Sequence, residues 1–137
     1  MSWFKKKNVT NKEEREPVDR PVAWPNGIAV KVGETYWYIK GNTRLHIISE
    51  RAVRSWGLHI SNGTHASTSA FRKAGTLGFR DGSLIKDISS GKIYLIAASK
   101  KRHVTNPDVL TILGYPVVDV SREEAAIHIN GEDLNAI

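Results

Sequence analysis

The chain contains no cysteine, so a disulfide framework, a thiolate metal site and a cysteine nucleophile are all excluded, and packing alone has to hold the fold. It has no apolar run near the roughly 20 residues that a membrane-spanning helix needs. The opening stretch MSWFKKKNVTNKEEREPVDRP also lacks the apolar centre of a secretory leader. On these grounds the sequence reads as a soluble protein made in a cytoplasm. The sequons at Asn8 and Asn62 then carry no meaning, since they matter only on an exported chain.

Catalytic signatures are missing too. There is no G-x-G-x-x-G, no P-loop and no G-x-S-x-G, although the chain has 11 glycines. GTLGFRDG (75 to 82) resembles a phosphate loop only in glycine content, and its glycines read as turns. His46, His59, His65, His103 and His128 never fall at metal-ligand spacings. No metal, no cofactor and no enzyme are expected.

What is present suits one compact domain or two very small ones: 137 residues, of which 40% are hydrophobic. The formal charge of +6 invites a polyanion, but the excess is spread thinly. Residues 61 to 137 hold nine Lys and Arg against eight acids, and only Lys5-Lys6-Lys7 and Lys100-Lys101-Arg102 form runs. A dedicated nucleic-acid reader concentrates its cations on one stripe.

The chain repeats itself. Placing TRLHIISERAVRSWGL (43 to 58) over KKRHVTNPDVLTILGY (100 to 115) aligns His46 with His103, Ser49 with Asn106, Trp56 with Leu113 and Gly57 with Gly114, always 57 residues apart. Upstream, YWYI (36 to 39) matches IYLI (93 to 96), and GIAVK (27 to 31) matches GSLIK (82 to 86) after a two-residue difference in the turn. Matched classes, caps and order, more than identities, mark a tandem duplication.

Each copy predicts a hairpin, a third strand and a short helix. The strands are β-branched and aromatic. Ser49 and Asn106 are N-caps, Pro107 sits where a helix start tolerates proline, and Gly57 and Gly114 are stops. The expected fold is α+β: two tandem modules, each a three-stranded antiparallel meander plus a short helix, behind an extended N-terminal arm. The expected divisions are an arm at 1–26, a first module at 27–71, a linker at 72–81 and a second module at 82–137. VVDVS (117 to 121) predicts a further strand, leading into a helix capped by Ser121 with Glu124 at the capping-box position. The corresponding SNGTHASTSA (61 to 70) reads as loop.

Because His46 recurs as His103 and Arg44 as Lys101, the basic cluster reads mainly as part of the building block. A paired anion site from Arg44, Lys100, Lys101 and Arg102 near the helix starts is the functional alternative. The first 26 residues differ in kind, with three prolines, mixed charge and almost no periodicity. Trp3, Phe4 and Trp24, with Lys5, Lys6 and Lys7, read as an arm that contacts a neighbour.

The second copy has G-S-L-I-K, a Tyr-centred strand, a basic pair, Asn-Pro before a short helix, L-G-Y, and V-V-D-V-S before an Ala/Glu helix. In this it resembles a short repeat of bacteriophage virion proteins and of some bacterial surface and wall-associated proteins. The match covers residues 82 to 128, while the first copy departs from it at Ser49-Glu50 and in its ending. The resemblance implies an adhesive or structural module and carries no catalytic or ligand residues. The expectation is a non-enzymatic virion structural protein: a capsid decoration, head-to-tail or tail component. It would be made in the host cytoplasm and dock on other virion subunits in a large symmetric assembly, without a membrane. The alternative is a binding module for an anionic polymer, either nucleic acid or cell-wall glycan.

Overall fold

In the computed structural model, residues 23–137 are described. Ala29–Val32 (β1), Thr35–Lys40 (β2) and Thr43–Ile47 (β3) pair antiparallel in sequence order, as their apolar alternation and the glycine turns between them dictate. Glu50–Trp56 (α1) follows, its N-cap Ser49 accepting from the Ala52 amide and Gly57 ending it in the left-handed conformation. Two further strands were not anticipated. Ile60–Asn62 (β4) adds parallel to β1, and after His65–Thr68 (α2), Arg72–Leu77 (β5) adds parallel to β3. The sheet is therefore mixed and five-stranded, ordered β4-β1-β2-β3-β5, with the expected meander only as its centre. Residues 61–70, read as loop, hold most of β4 and all of α2. Residues 72–77, read as linker, are an edge strand.

The second half repeats this plan. Leu84–Asp87 (β6), Ile93–Ala97 (β7) and Lys100–His103 (β8) form the meander, and Pro107–Leu113 (α3) starts on Asn106 and stops on Gly114. Val117–Val120 (β9) pairs parallel with β6, and Arg122–Ala126 (α4) follows in a capping box of Ser121 and Glu124. Where the first half has β5, the second has two isolated parallel bridges, Lys101 to Asn130 and Val104 to Leu134. These sit 57 positions beyond the Arg44–Lys73 and Ile47–Leu77 pairs of the first sheet. The 57-residue spacing thus continues to the end of the chain. Thr64 caps α2 with a capping box as Ser121 caps α4, again 57 apart.

Strand alternation gives each sheet two apolar faces. In the first, Ala29, Tyr36 and Ile47 point toward α1, while Val30 and Ile39 point the other way, beneath Trp24, Phe71 and α2. In the second, Leu84 and Val104 point toward α3, while Ile85, Tyr94 and Ile96 point toward α4. One core joins the halves: Ala29, Tyr36, Ile47, Ala52 and Val53 of the first repeat pack with Ile85, Tyr94, Ile96, Val120 and Ala125 of the second. The α1 face of one sheet therefore meets the α4 face of the next. These are non-equivalent faces, so the repeats are stacked front to back and are not related by a twofold axis. The layers run α2, first sheet, α1 with α4, second sheet, α3. No helix among the described residues is long and apolar enough to cross a membrane.

Candidate functional site

Each repeat carries the same polar cluster on one face of its sheet. In the first, Trp37 and His46 are register partners with ring centroids 5.7 Å apart, and the Arg44 guanidinium lies 4.2 Å from the Trp37 centroid. In the second, Tyr94 and His103 are partners, also 5.7 Å apart, with Lys101 Nζ 5.5 Å from the Tyr94 centroid. An aromatic face attracts a cation by its quadrupole, so the cluster orients Arg44 and Lys101 along the sheet.

The cations read as a paired anion site take different surroundings in the two repeats. Lys101 Nζ donates to the carbonyls of His128, at 2.9 Å, and Ala125, at 3.3 Å, closing the end of α4 inside the junction. Arg102 points to the opposite face and donates to the carbonyls of Glu132 and Asp133. Lys100 is exposed on the edge strand. Arg44 is buried in the other repeat, its Nη1 donating to Thr68 Oγ1 at 3.3 Å. Of the expected arm contacts, Trp24 packs against the outer face of the first sheet, its Nε1 donating to the Ser67 carbonyl at 2.9 Å. Trp3, Phe4, Lys5, Lys6 and Lys7 lie outside the described residues.

The boundary between repeats holds the groups that pattern reading missed. Arg51 on α1 donates through Nε and Nη2 to the two carboxylate oxygens of Glu124 on α4, at 3.1 and 2.6 Å. Burial pushes the Glu124 carboxyl up. The Arg51 bond, the Ser121 amide and the Ser49 hydroxyl outweigh it and bring the group to about 2. Glu124 was legible as a capping-box residue, but its second role depends on a residue 73 positions away.

His128, at 3% exposure, is the other junction group. Its Nε2 accepts from the Phe79 amide at 2.9 Å, and its Nδ1 lies 2.7 Å from the Ser99 carbonyl, so a neutral ring with the proton on Nδ1 satisfies both bonds. Burial is the main cause of its lowered pKa. The nearby Lys101 charge adds to that effect, and the Ser99 bond opposes it.

Beside this junction lies an open groove of about 620 Å³, lined by Arg51, Arg54, Arg80, Tyr115, Pro116 and Val118 among others. Glu124 compensates Arg51 and Glu50 compensates Arg54, so the groove wall is less cationic than its arginines suggest. Next to it the surface is apolar. Of nine exposed large hydrophobic side chains among the described residues, eight belong to the second repeat, and Ile112, Tyr115, Val117 and Val118 gather where α3 leads into β9. Ser55 on α1 and Leu58 just after it hold the positions of Ile112 and Tyr115; both are half-buried, Leu58 against the shared core. The helix face that is covered on the first repeat, at α1, is thus open on the second, at α3.

Among the described residues, no group of three or more His, Asp or Glu could hold a metal ion. No protein-family model, no curated protein and no solved structure matches the chain.

Proposed function

We propose that this chain is a non-enzymatic structural protein of a bacteriophage particle, which works by docking on neighbouring subunits. The observation that supports it best is the apolar face at the α3 end of the stack. Ile112 and Tyr115 are 67% and 51% exposed at positions whose first-repeat counterparts, Ser55 and Leu58, are half-buried. An exposed apolar cluster next to a groove is the mark of an interaction surface. The N-terminal arm supplies a second contact, with Trp3 and Phe4 as anchors and Lys5, Lys6 and Lys7 at the rim.

Incorporation into particles tests this reading. Deleting residues 1–22, or replacing Ile112 and Tyr115 by Glu and Ser, leaves thermal unfolding close to wild type and lowers incorporation at least tenfold. Wild-type incorporation of both variants would refute docking through these surfaces. The polyanion reading makes a different demand: binding to DNA or wall glycan that falls steeply between 50 and 200 mM salt, as it does when several phosphate contacts are lost. That reading has less support, because Lys101 and Arg102 already donate to the protein's own carbonyls.

A further inference from the structure

The repeat begins before Gly27. Trp24-Pro25-Asn26-Gly27 aligns with Phe79-Arg80-Asp81-Gly82, and the structure gives the alignment a physical match. Asn26 Oδ1 accepts from the Gly41 amide and Asp81 Oδ1 from the Ser99 amide, each bracing the turn after the second meander strand of its sheet. Gly78 and Phe79 are therefore the counterparts of Ala23 and Trp24, and Ile127 and His128 are those of Ala70 and Phe71. The second-repeat set lies where the first repeat docks. Trp56 on α1 donates to the Gly78 carbonyl at 2.8 Å, Ser55 Oγ accepts from the Arg80 amide at 3.1 Å, and Phe79 and His128 are each 3% exposed. Over the first-repeat set, no counterpart of α1 is found among the described residues. Ala23, Trp24, Ala70 and Phe71 instead line an open hollow of about 270 Å³ on the outer face of the first sheet, with Trp24 and Phe71 only half-buried.

We propose that this hollow takes the α3 end of a second copy of the chain, so that copies add head to tail and repeat between molecules the stacking that joins the repeats within one. The inference rests on the α3 face being a docking surface, as proposed above, and names its partner. Carrying the internal junction across by the repeat offset sets Leu113 in the place of Trp56, against Ala23 in the place of Gly78. It sets Ile112 in the place of Ser55, against Pro25 in the place of Arg80. Within the molecule both contacts are hydrogen bonds; between copies both are apolar on both sides. Pro25 has no N–H, so no donor is left unpaired opposite Ile112. Burial of the exposed Ile112 and its neighbours supplies the attraction. Charge favours this end for contact between like chains: the chain carries +6, yet residues 103–121 hold Asp108 and Asp119 and no Lys or Arg. The Arg51–Glu124 clasp is not carried over, because Asp108 and Ser67 hold those positions, so the contact between copies is weaker than the junction within one.

Sedimentation of the full-length chain over a rising concentration series tests this. The wild type passes from monomer to dimer and on to longer species, because a head-to-tail contact leaves an unused surface at each end. Ile112→Glu and Ala70→Glu each block one end and weaken association about tenfold or more. An equimolar mixture of the two variants forms dimers and nothing longer, since the intact hollow of one takes the intact α3 end of the other. Because the chain has no cysteine, a second readout is clean: size-tagged Ile112→Cys oxidised together with Pro25→Cys gives the mixed disulfide in preference to either homodimer. A wild type that stays monomeric, with no mixed disulfide, overturns the proposal. So does association that survives Ala70→Glu with Ile112→Cys linking to itself, which marks a twofold contact between α3 faces. So does association that appears only on deleting residues 1–22, which means that the chain's own arm takes the hollow. Particle incorporation separates this from the docking reading. If the wild type is monomeric but replacing Ile112 and Tyr115 still lowers incorporation, the second copy is the wrong partner and docking stands. If copies associate as described but incorporation is unchanged, docking in a particle fails and self-association stands.

Discussion

Arg51 and Glu124, 73 residues apart in the sequence, meet in a two-point clasp that ties the helix of one repeat to the helix of the next. Replacing Arg51 by Met leaves the buried Glu124 carboxylate without its principal partner. The expected loss is about 1–3 kcal/mol in urea unfolding at pH 7, moderated because the Arg51 side chain is half exposed. Glu124→Gln in the Arg51→Met background recovers part of it. The Glu124 carboxyl titrates near 2, below its ordinary 4.5, so its contribution is complete above about pH 4.5 and is lost as pH falls toward 2. Unfolding between pH 2 and 5 is therefore steeper in pH for the wild type than for Arg51→Met.

His128 adds an acid sensitivity at higher pH. Its pKa is lowered from 6.5 in the folded protein, so the unfolded chain takes up the proton first. Stability from the neutral ring is complete above about pH 6.5 and declines as pH falls below that value. His128→Gln flattens the change in urea midpoint between pH 7.5 and 5.5. An unchanged slope would show that another group titrates there.

Gly78 has no room for a side chain. An added Cβ would lie 2.5 Å from His128 Nε2 and 2.7 Å from Ile127 Cγ2. Gly78→Ala must push the ring away and leave the Phe79 amide unpaired, a loss of about 2–4 kcal/mol. A shift below about 0.5 kcal/mol would mean that the imidazole moves freely.

Ala98 and Ser99 occupy the β7–β8 turn with φ of 50° and 64°, a conformation that disfavours a Cβ. In the first repeat the same turn has Gly41, at φ 61°. Ala98→Gly removes the strain, and the expected gain is up to about 1 kcal/mol, read as a higher Tm.

Because one core contains residues of both repeats, the two halves unfold together. Ile96 is fully buried in that core, and Ile96→Ala costs about 2–5 kcal/mol. The loss appears as one calorimetric transition at lower temperature, not as a shoulder from one half. Two separable transitions would show that the shared core does not couple them.

The local punctuation of this fold was readable from its residues. Ser49, Asn106 with Pro107, Ser121 with Glu124, and the stops Gly57 and Gly114 all act within one helical turn, so a short window contains their whole physics. The β4–α2–β5 segment was not readable. Ser61, Asn62 and Gly63 have little strand propensity, and β5 is almost wholly exposed, so neither carries an apolar period. Their place is set by pairing with strands about 30 residues away. The two partner residues sharing the 57-residue offset, Thr64 and Ser121, were the available clue. The candidate cations were found by type, but their engagement with carbonyls or with an indole depends on strand parity across the sheet. Only the assembled register reveals that.

The front-to-back order of the repeats makes the molecule directional. A twofold pair would present the same surface at both ends and could only close on itself. Here one end has Trp24 packed beside Gly63, and the other shows bare Ile112. Any larger structure built on this chain inherits an arrow, because its two ends present different surfaces.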